Sequence, residues 1–338
     1  MDQFTVLTAI LFAICTIVIA GAGWVLISAV DVIAEKTRLD RAFLGTILVA
    51  TITSLPELST GVSAITIADA PDIAVGDVVG SCVFNLLLFA VADAASPGIA
   101  FYGRLSPAHN LSAAFGAILL GLLALAILAP DTARLSIGHV GIYSVMLAVL
   151  YFGAARLLYA VNVPATPGGD AKTSLSAMSL RTAVVRCAAA AAAVIIAGIL
   201  LALSANRLAE EANLTDSFVG VLLVAAATSM PELGTTLAAV RLRAFDLAAG
   251  NLLGSNLFNM LILVIDDIAY VEGPLLASAS DILAAPAVVA MMMTAVVVAA
   301  LNYVKRTKPH PVDIWAGVSL AALYMFNAWL LFDGAGGR

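Results

Sequence analysis

Charge is scarce in this chain. Of its 338 residues only 11% are Asp, Glu, Lys or Arg, against roughly 25% in ordinary soluble domains, and a soluble surface of this size cannot be covered with so few. Basic residues number 16 and acidic ones 22, a net charge of −6, which excludes nucleic-acid binding through a basic face. Cysteine is limited to Cys15, Cys82 and Cys187, each inside an apolar run, so the chain has no disulfide framework and its thiols read as small buried hydrophobes. The three histidines, His109, His139 and His310, lie far apart, and neither HExxH nor CxxC occurs. A zinc site therefore lacks support, and with no nucleophile–base pair so does an intramembrane enzyme.

What is present in quantity is apolar sequence. Hydrophobic residues make up 62% of the chain and mean hydropathy is +1.06, which leaves a polytopic, all-α membrane protein. Ten apolar runs, near 4–30, 42–68, 73–95, 107–129, 136–160, 182–205, 217–240, 246–270, 281–303 and 313–332, are each about the ~20 residues needed to cross ~30 Å of hydrocarbon. The first run follows Met1-Asp2-Gln3 without a basic stretch and is too long for a signal segment, so it is expected to be retained. Connections are short. The longest, 161–181, carries Pro164, Pro167, Gly168 and Gly169 and reads as a cytoplasmic linker between a first half, 1–160, and a second, 182–338. With the N-terminus placed outside, only Arg134, Arg207 and Arg338 of the sixteen basic residues fall outside. That bias predicts both termini outside.

The halves repeat. Residues 45–60 read GTILVATITSLPELST and 220–235 read GVLLVAAATSMPELGT; residues 76–89 read GDVVGSCVFNLLLF and 250–263 read GNLLGSNLFNMLIL. The matches are polar, Pro and Gly, at nearly one offset, so chance in an apolar chain does not explain them. The copies lie five spans apart, an odd number, which predicts two inverted five-helix repeats and a site at the midplane.

In the first block Thr53, Ser54 and Glu57 share one helix face, and a carboxylate there is costly unless it functions. Pro56 has no N–H for the carbonyl of Ile52, and Pro231 none for that of Ala227, so each helix should kink and free an oxygen. Thr228, Ser229 and Glu232 repeat the set. In the second block Ser81 and Asn85 lie one turn apart, as do Ser255 and Asn259, behind glycines spaced four apart. Such a face packs helices closely as well as offering ligands. Carboxylate, hydroxyl and carbonyl oxygens are hard ligands suited to Ca²⁺ or Na⁺.

These blocks, TSLPE with GSCVFN and TSMPE with GSNLFN, resemble the two α-repeats of the calcium/cation antiporter superfamily, which includes sodium/calcium exchangers. The resemblance implies alternating-access exchange of Ca²⁺ against Na⁺, K⁺ or H⁺ by a plasma-membrane protein needing no cofactor, with a monomer sufficient for transport. Its ion-binding side chains fall here on Thr53, Ser54, Glu57, Ser81, Asn85, Thr228, Ser229, Glu232, Ser255 and Asn259, and its backbone ligands on Ala50 and Ala225, two residues from the kink-freed carbonyls. Several sodium/calcium exchangers carry an aspartate where this chain has Asn259. Asp77, opposite Asn251 in the repeat, has two readings: one turn from Ser81 it could face the cavity, and near the helix start it could be an N-terminal acid favoured by the dipole. Asp93 and Asp267, at matching span ends, read as interfacial or as gate groups, and Asp31 and Asp246 as interfacial.

Two glutamates give −2, which one Ca²⁺ neutralises and so do two protons. Both Na⁺ and H⁺ are therefore natural competitors. The resemblance tips the expectation to Na⁺, because the linker lacks the acidic run of some proton-coupled relatives. A passive cation channel is the competing class; it would need a continuous polar path and would show no trans-stimulated flux.

Overall fold

Helices form where the apolar runs fall. The computed structural model describes residues 3–37, 51, 53–129, 135–160, 178–304 and 314–336. In chain order the main helices are α1 (Gln3–Thr37), α2 (Leu55–Thr66), α3 (Pro71–Ala94), α4 (His109–Leu128), α5 (Ile142–Ala160), α6 (Leu180–Ala212), α7 (Asp216–Thr228), α8 (Met230–Arg241), α9 (Phe245–Ala269), α10 (Ala284–Tyr303) and α11 (Trp315–Gly336). Among the described residues, seven helices are long and apolar enough to cross a membrane; α7 and α8, bent by 45° at Ser229, make an eighth if they form one broken span.

The expected count of ten is thus not reached among the described residues. The run 42–68 is described only at residue 51 and from 53 onward, so its first half lies outside them. The run 136–160 does not begin as a helix. Ser136–Ile137 pairs antiparallel with Val140–Gly141 around Gly138, whose φ of 67° suits a residue without a Cβ, and a shorter apolar helix, Ile142–Leu158, follows. Most of the 161–181 linker also lies outside the described residues. α6 starts two residues before the apolar run 182–205, where the Ser179 hydroxyl accepts the Thr182 N–H at 3.1 Å as an N-cap.

The sequence repeat recurs as conformation. Ser54 (φ −89°, ψ 14°) and Ser229 (φ −83°, ψ 14°) break the helix before Pro56 and Pro231, which stand in the first turns of α2 and α8. Proline is tolerated there because its missing N–H would have no intrahelical partner. The turns leading to α3 and α9 pass through left-handed residues at equivalent positions, Asp69 (φ 52°) and Arg243 (φ 57°). The six residues Val219–Val224 of α7 form a π-helix, a geometry often found at functional sites.

Packing sorts the helices into a centre and a periphery. The most apolar windows of α3 and α9 are 83% and 78% buried, whereas those of α1 and α11 are 22% buried and present side chains such as Leu7, Ile17 and Phe332 outward. α1 and α6 lie along each other. Each touches a broken helix of the other half through a glycine: Gly23 sits against Pro231, and Gly198 against Ser59 and Thr60. These two glycines are themselves repeat mates at the offset of 175 that relates Glu57 to Glu232 (57 + 175 = 232; 23 + 175 = 198).

Candidate cation-binding site

The helix breaks at Ser54 and Ser229 place two glutamates in the centre of the molecule, 1% and 0% exposed. Around Glu57 stand hydroxyls from the other half. Ser229 Oγ lies 3.1 Å from Glu57 Oε1 and 3.0 Å from Ser81 Oγ, and Thr228 also faces Glu57. Around Glu232 the Thr and long-helix Ser contacts recur, but Ser54, the repeat mate of Ser229, has no hydrogen-bond partner among the described residues. Ser255 Oγ donates to Glu232 Oε1 at 3.2 Å, and the Thr53 hydroxyl faces the same carboxylate. Each carboxylate is held by the Thr of the opposite half and by the Ser of the adjoining long helix.

α3 and α9 cross beside this pair, and the crossing is again built from repeat mates. Cys82 and Asn256 occupy the contact, with Asn256 Nδ2 donating to the Cys82 carbonyl at 3.3 Å. Asn85 Nδ2 donates to Asn256 Oδ1 at 3.0 Å, and Asn259 Nδ2 points at Cys82 Sγ at 3.7 Å. Both amides therefore spend their N–H groups on the crossing and keep their oxygens free. Among the described residues, Glu57 Oε2, Glu232 Oε2, Asn85 Oδ1, Asn259 Oδ1 and Ser54 Oγ have no hydrogen-bond partner although all are buried. Buried acceptors without donors cost ~1–3 kcal/mol each; a cation coordinates such oxygens directly. No three acidic, histidine or cysteine side chains converge as a metal cluster among the described residues, so the shell around any ion is completed by hydroxyl, amide and carbonyl oxygens.

The residues expected as ligands lie as follows. Thr53, Ser54, Glu57, Ser81, Asn85, Thr228, Ser229, Glu232, Ser255 and Asn259 are all buried in this centre. The Ala225 oxygen lies in it too, accepting the Ser229 N–H at 3.1 Å with the Thr228 hydroxyl at 3.3 Å. Ala50 and the Ile52 carbonyl lie outside the described residues.

Asp77 departs from its reading as a helix N-terminal acid. That position belongs to Asp72, in the first turn of α3, whose carboxylate accepts from the Ser217 hydroxyl (2.7 Å) and the Ser280 N–H (2.6 Å). Asp77 is two turns in and fully buried, and Thr228 Oγ1 donates to its Oδ1 at 2.9 Å. α3 can bring it there because Gly76 meets Gly220 and Gly80 meets Val221 and Ala225 with no side chain between them. Asp266 is a second acid the motifs do not announce. It is fully buried against Gly61, one turn beyond Glu57 on α2, and neither of its oxygens has a partner among the described residues.

Asp267 is not an interfacial group. It is fully buried, and its carboxylate accepts from Tyr143 Oη (2.6 Å), Gly141 N (2.8 Å) and Leu275 N (2.7 Å), tying the hairpin and α5 to the segment after α9. Asp267→Asn exchanges an acceptor for an amide that must point a donor at donors. The expected cost is about 2–4 kcal/mol, read as a lower unfolding temperature in detergent with Ca²⁺-dependent stabilisation kept. An unchanged unfolding temperature would remove Asp267 from the scaffold. Asp246 is only partly interfacial: its carboxylate pairs with His109 at 3.0 Å and accepts the Ser106 N–H at 2.7 Å. The side chain of Asp31 lies outside those described.

Comparison with known proteins agrees with this fold. A membrane protein of Methanocaldococcus jannaschii, itself uncharacterized, is 26% identical over 306 residues, covering 90% of this chain and 91% of its own. The inner membrane protein YrbG of Escherichia coli K12 is 28% identical over 251 residues, covering 71% and 72%. The solved structure of the sodium-calcium exchanger NCX_Mj superposes with a TM-score of 0.60 at 22% identity, covering 95% of this chain and 98% of that one, which places the two in one fold. The sodium/calcium exchanger protein family matches residues 7–159 and 182–332, both repeats with every described site residue, and the chain is a member of that family of multi-pass membrane proteins.

Proposed function

We propose that this protein is a secondary antiporter that exchanges Ca²⁺ for a monovalent cation, Na⁺ before H⁺, by alternating access at the site between α2, α3, α8 and α9. The observation that carries the reading is the pair of buried glutamates, Glu57 and Glu232, each held by hydroxyls of both halves and each keeping one oxygen without a donor among the described residues. Two opposed carboxylates match the charge of one Ca²⁺, and hydroxyl, amide and carbonyl oxygens complete its shell. All of these ligands come from one chain, so a monomer suffices and no cofactor is called for.

The same reading takes the halves as inverted five-span repeats in the plasma membrane with both termini outside. Support comes from the repeat-related contacts and from the basic residues. Arg104 and Arg243, both expected on the cytoplasmic side, line one cavity of about 290 Å³, whereas Asp72, Ser217 and Ser280 meet at the other ends of their helices. α1 and α6 approach the broken helices closely at Gly23 and Gly198. Such contacts let that pair slide across the site and expose it to either face in turn.

The test is Ca²⁺ uptake into proteoliposomes of the purified protein, with a Na⁺ gradient and a pH gradient imposed separately. Uptake driven by outward Na⁺ and stimulated by Ca²⁺ on the far side is expected. Uptake driven by the pH gradient alone moves the counter-ion to H⁺, and flux without trans-stimulation replaces the antiporter with a channel. Within this reading Asn259→Asp makes the pocket more acidic beside Glu232 and Cys82. It should alter the Na⁺ or pH dependence while Ca²⁺ binding survives. Should Asn259→Asp and Asn259→Ala both behave as wild type under every gradient, Asn259 is no ligand.

A further inference from the structure

The two repeats carry unequal charge. At equivalent positions on α3 and α9 stand Asp77 and Asn251, and they are used differently. Asn251 donates from Nδ2 to Thr235 Oγ1 at 3.0 Å, a contact within its own half. Asp77 reaches into the other half, where Thr228 Oγ1 lies 2.9 Å from its Oδ1; Ser81 Oγ, on its own helix, lies 3.4 Å from the same oxygen. Its Oδ2 is buried with no hydrogen-bond partner among the described residues. The helix does not require an acid here, since the repeat mate is a neutral amide and Asp72 already occupies the first turn of α3.

We propose that Asp77 is a further cation-binding carboxylate, which holds a monovalent metal cation beside the Thr228 hydroxyl, adjacent to the Ca²⁺ position between Glu57 and Glu232 but separate from it. Oxygens outnumber hydrogens at this point. The single hydroxyl hydrogen of Thr228 can serve only one of Asp77 Oδ1, Val224 O at 3.1 Å and Ala225 O at 3.3 Å, and Ser81 Oγ is 3.5 Å away. A second, larger cage around Ca²⁺ is disfavoured because no three acids converge among the described residues. A single full negative charge among neutral oxygens instead suits an ion of charge +1. Asp77 and the two glutamates together carry a formal charge of −3, counted apart from Asp266 beside Gly61 of α2. Ca²⁺ between the glutamates leaves −1 on these three, matched by one monovalent cation at Asp77, and in the other half of the cycle three monovalent cations match the three carboxylates. The stoichiometric consequence rests on the exchange function proposed above; the binding of a cation at Asp77 does not.

Two measurements on the purified protein test this. In detergent, thermal unfolding of wild type is followed as NaCl replaces choline chloride at constant ionic strength and pH. The upward shift expected with Na⁺ should shrink in Asp77→Asn by the share of the one cation lost, while the shift produced by Ca²⁺ remains. In proteoliposomes, the Na⁺ dependence of Ca²⁺ efflux should lose steepness in Asp77→Asn, its Hill coefficient falling by about one as one charge leaves the pocket. If Asp77→Asn does not fold, Asp77→Ser keeps an oxygen without the charge and should show the same losses. The proposal is overturned if the variants keep wild-type Na⁺ stabilisation and steepness. It is overturned equally if they lose Ca²⁺ stabilisation as fully as Glu57→Gln, which would make Asp77 a Ca²⁺ ligand, or if the wild-type shift follows pH and not Na⁺. A wild type that moves no Ca²⁺ under any gradient removes the exchanger reading and leaves the unfolding measurement to decide Asp77 alone.

Discussion

Glu57→Gln and Glu232→Gln should each abolish Ca²⁺ movement while leaving a folded protein. Each carboxylate is buried, and its hydrogen-bond donors are neutral, hydroxyls and a backbone N–H. A divalent ion entering this centre sheds its water, and only anionic oxygens compensate for that loss. Removing one of the pair leaves the amide oxygen as a ligand but takes away a full charge. A fall in flux of more than about a hundredfold is expected, which corresponds to ~3 kcal/mol or more of binding at 1.4 kcal/mol per decade. Stability should move the opposite way. The wild-type oxygens Glu57 Oε2 and Glu232 Oε2 have no donor among the described residues, and a neutral amide is cheaper to bury than a bare charge. Without ions, the variants should therefore unfold at the same temperature as wild type or higher. Flux of wild-type size in either variant places the site elsewhere, and a loss of flux that tracks a loss of folded protein makes the glutamate structural.

Much of this centre was legible before any coordinates, and the reason lies in where the repeat falls. Thr, Ser, Pro and Glu are conspicuous in an apolar chain, so two copies of TSxPE at one offset mark Glu57 and Glu232 as partners. The kinks followed from Pro56 and Pro231, and the structure breaks the helices at the serines just before them. Asp77 was harder to read. Position within the helix suggested an N-terminal acid, and the correction depends on how deeply α3 crosses the π-helical stretch of α7. The available signals were the mismatch of Asp77 with Asn251 against an otherwise matching repeat and its place one turn before Ser81. Asp266 was masked by its neighbour, because Asp267 matches Asp93 across the repeat and drew the reading, while Asp266 faces Ala92 in the other copy and matched nothing. Asn256 was overlooked for a similar reason. Its repeat mate is Cys82, and only the crossing of α3 over α9 shows that these two unlike residues meet. The span count of ten is not reached among the described residues, in part because hydropathy carries no information about conformation: the residues before Ile142 are apolar enough to read as membrane helix yet form a hairpin.

Gly80→Ala is expected to damage the protein more than any other single methyl group added to its helices, and to do so by pulling the site apart. A Cβ on Gly80 would collide with the Val221 carbonyl oxygen and lie 2.7 Å from the Ala225 Cβ. Neither neighbour can swing away, because one is backbone and the other a methyl fixed to it. α3 and α7 must separate instead. That separation acts on the next residues, since Ser81 and Asp77 reach Thr228 and Ser229 at distances of 2.9–3.5 Å, and 3.5 Å already marks the limit of a useful contact. Overpacking costs about 1–3 kcal/mol, and the better helix propensity of alanine returns up to ~1 kcal/mol. The net loss should appear as a lower unfolding temperature. A larger effect is expected on the ions, with Ca²⁺ and Na⁺ stabilisation both reduced at least about tenfold in concentration dependence as the hydroxyls leave the carboxylates. Gly116→Ala serves as the comparison, because a Cβ there meets nothing within 4 Å. It should leave ion binding intact and raise stability by about 0.5–1 kcal/mol, the usual gain from removing a glycine inside a helix. If Gly80→Ala instead behaves like Gly116→Ala, with ion stabilisation unchanged, then the close approach of α3 to the π-helical segment is not what assembles the oxygens around Glu57 and Asp77.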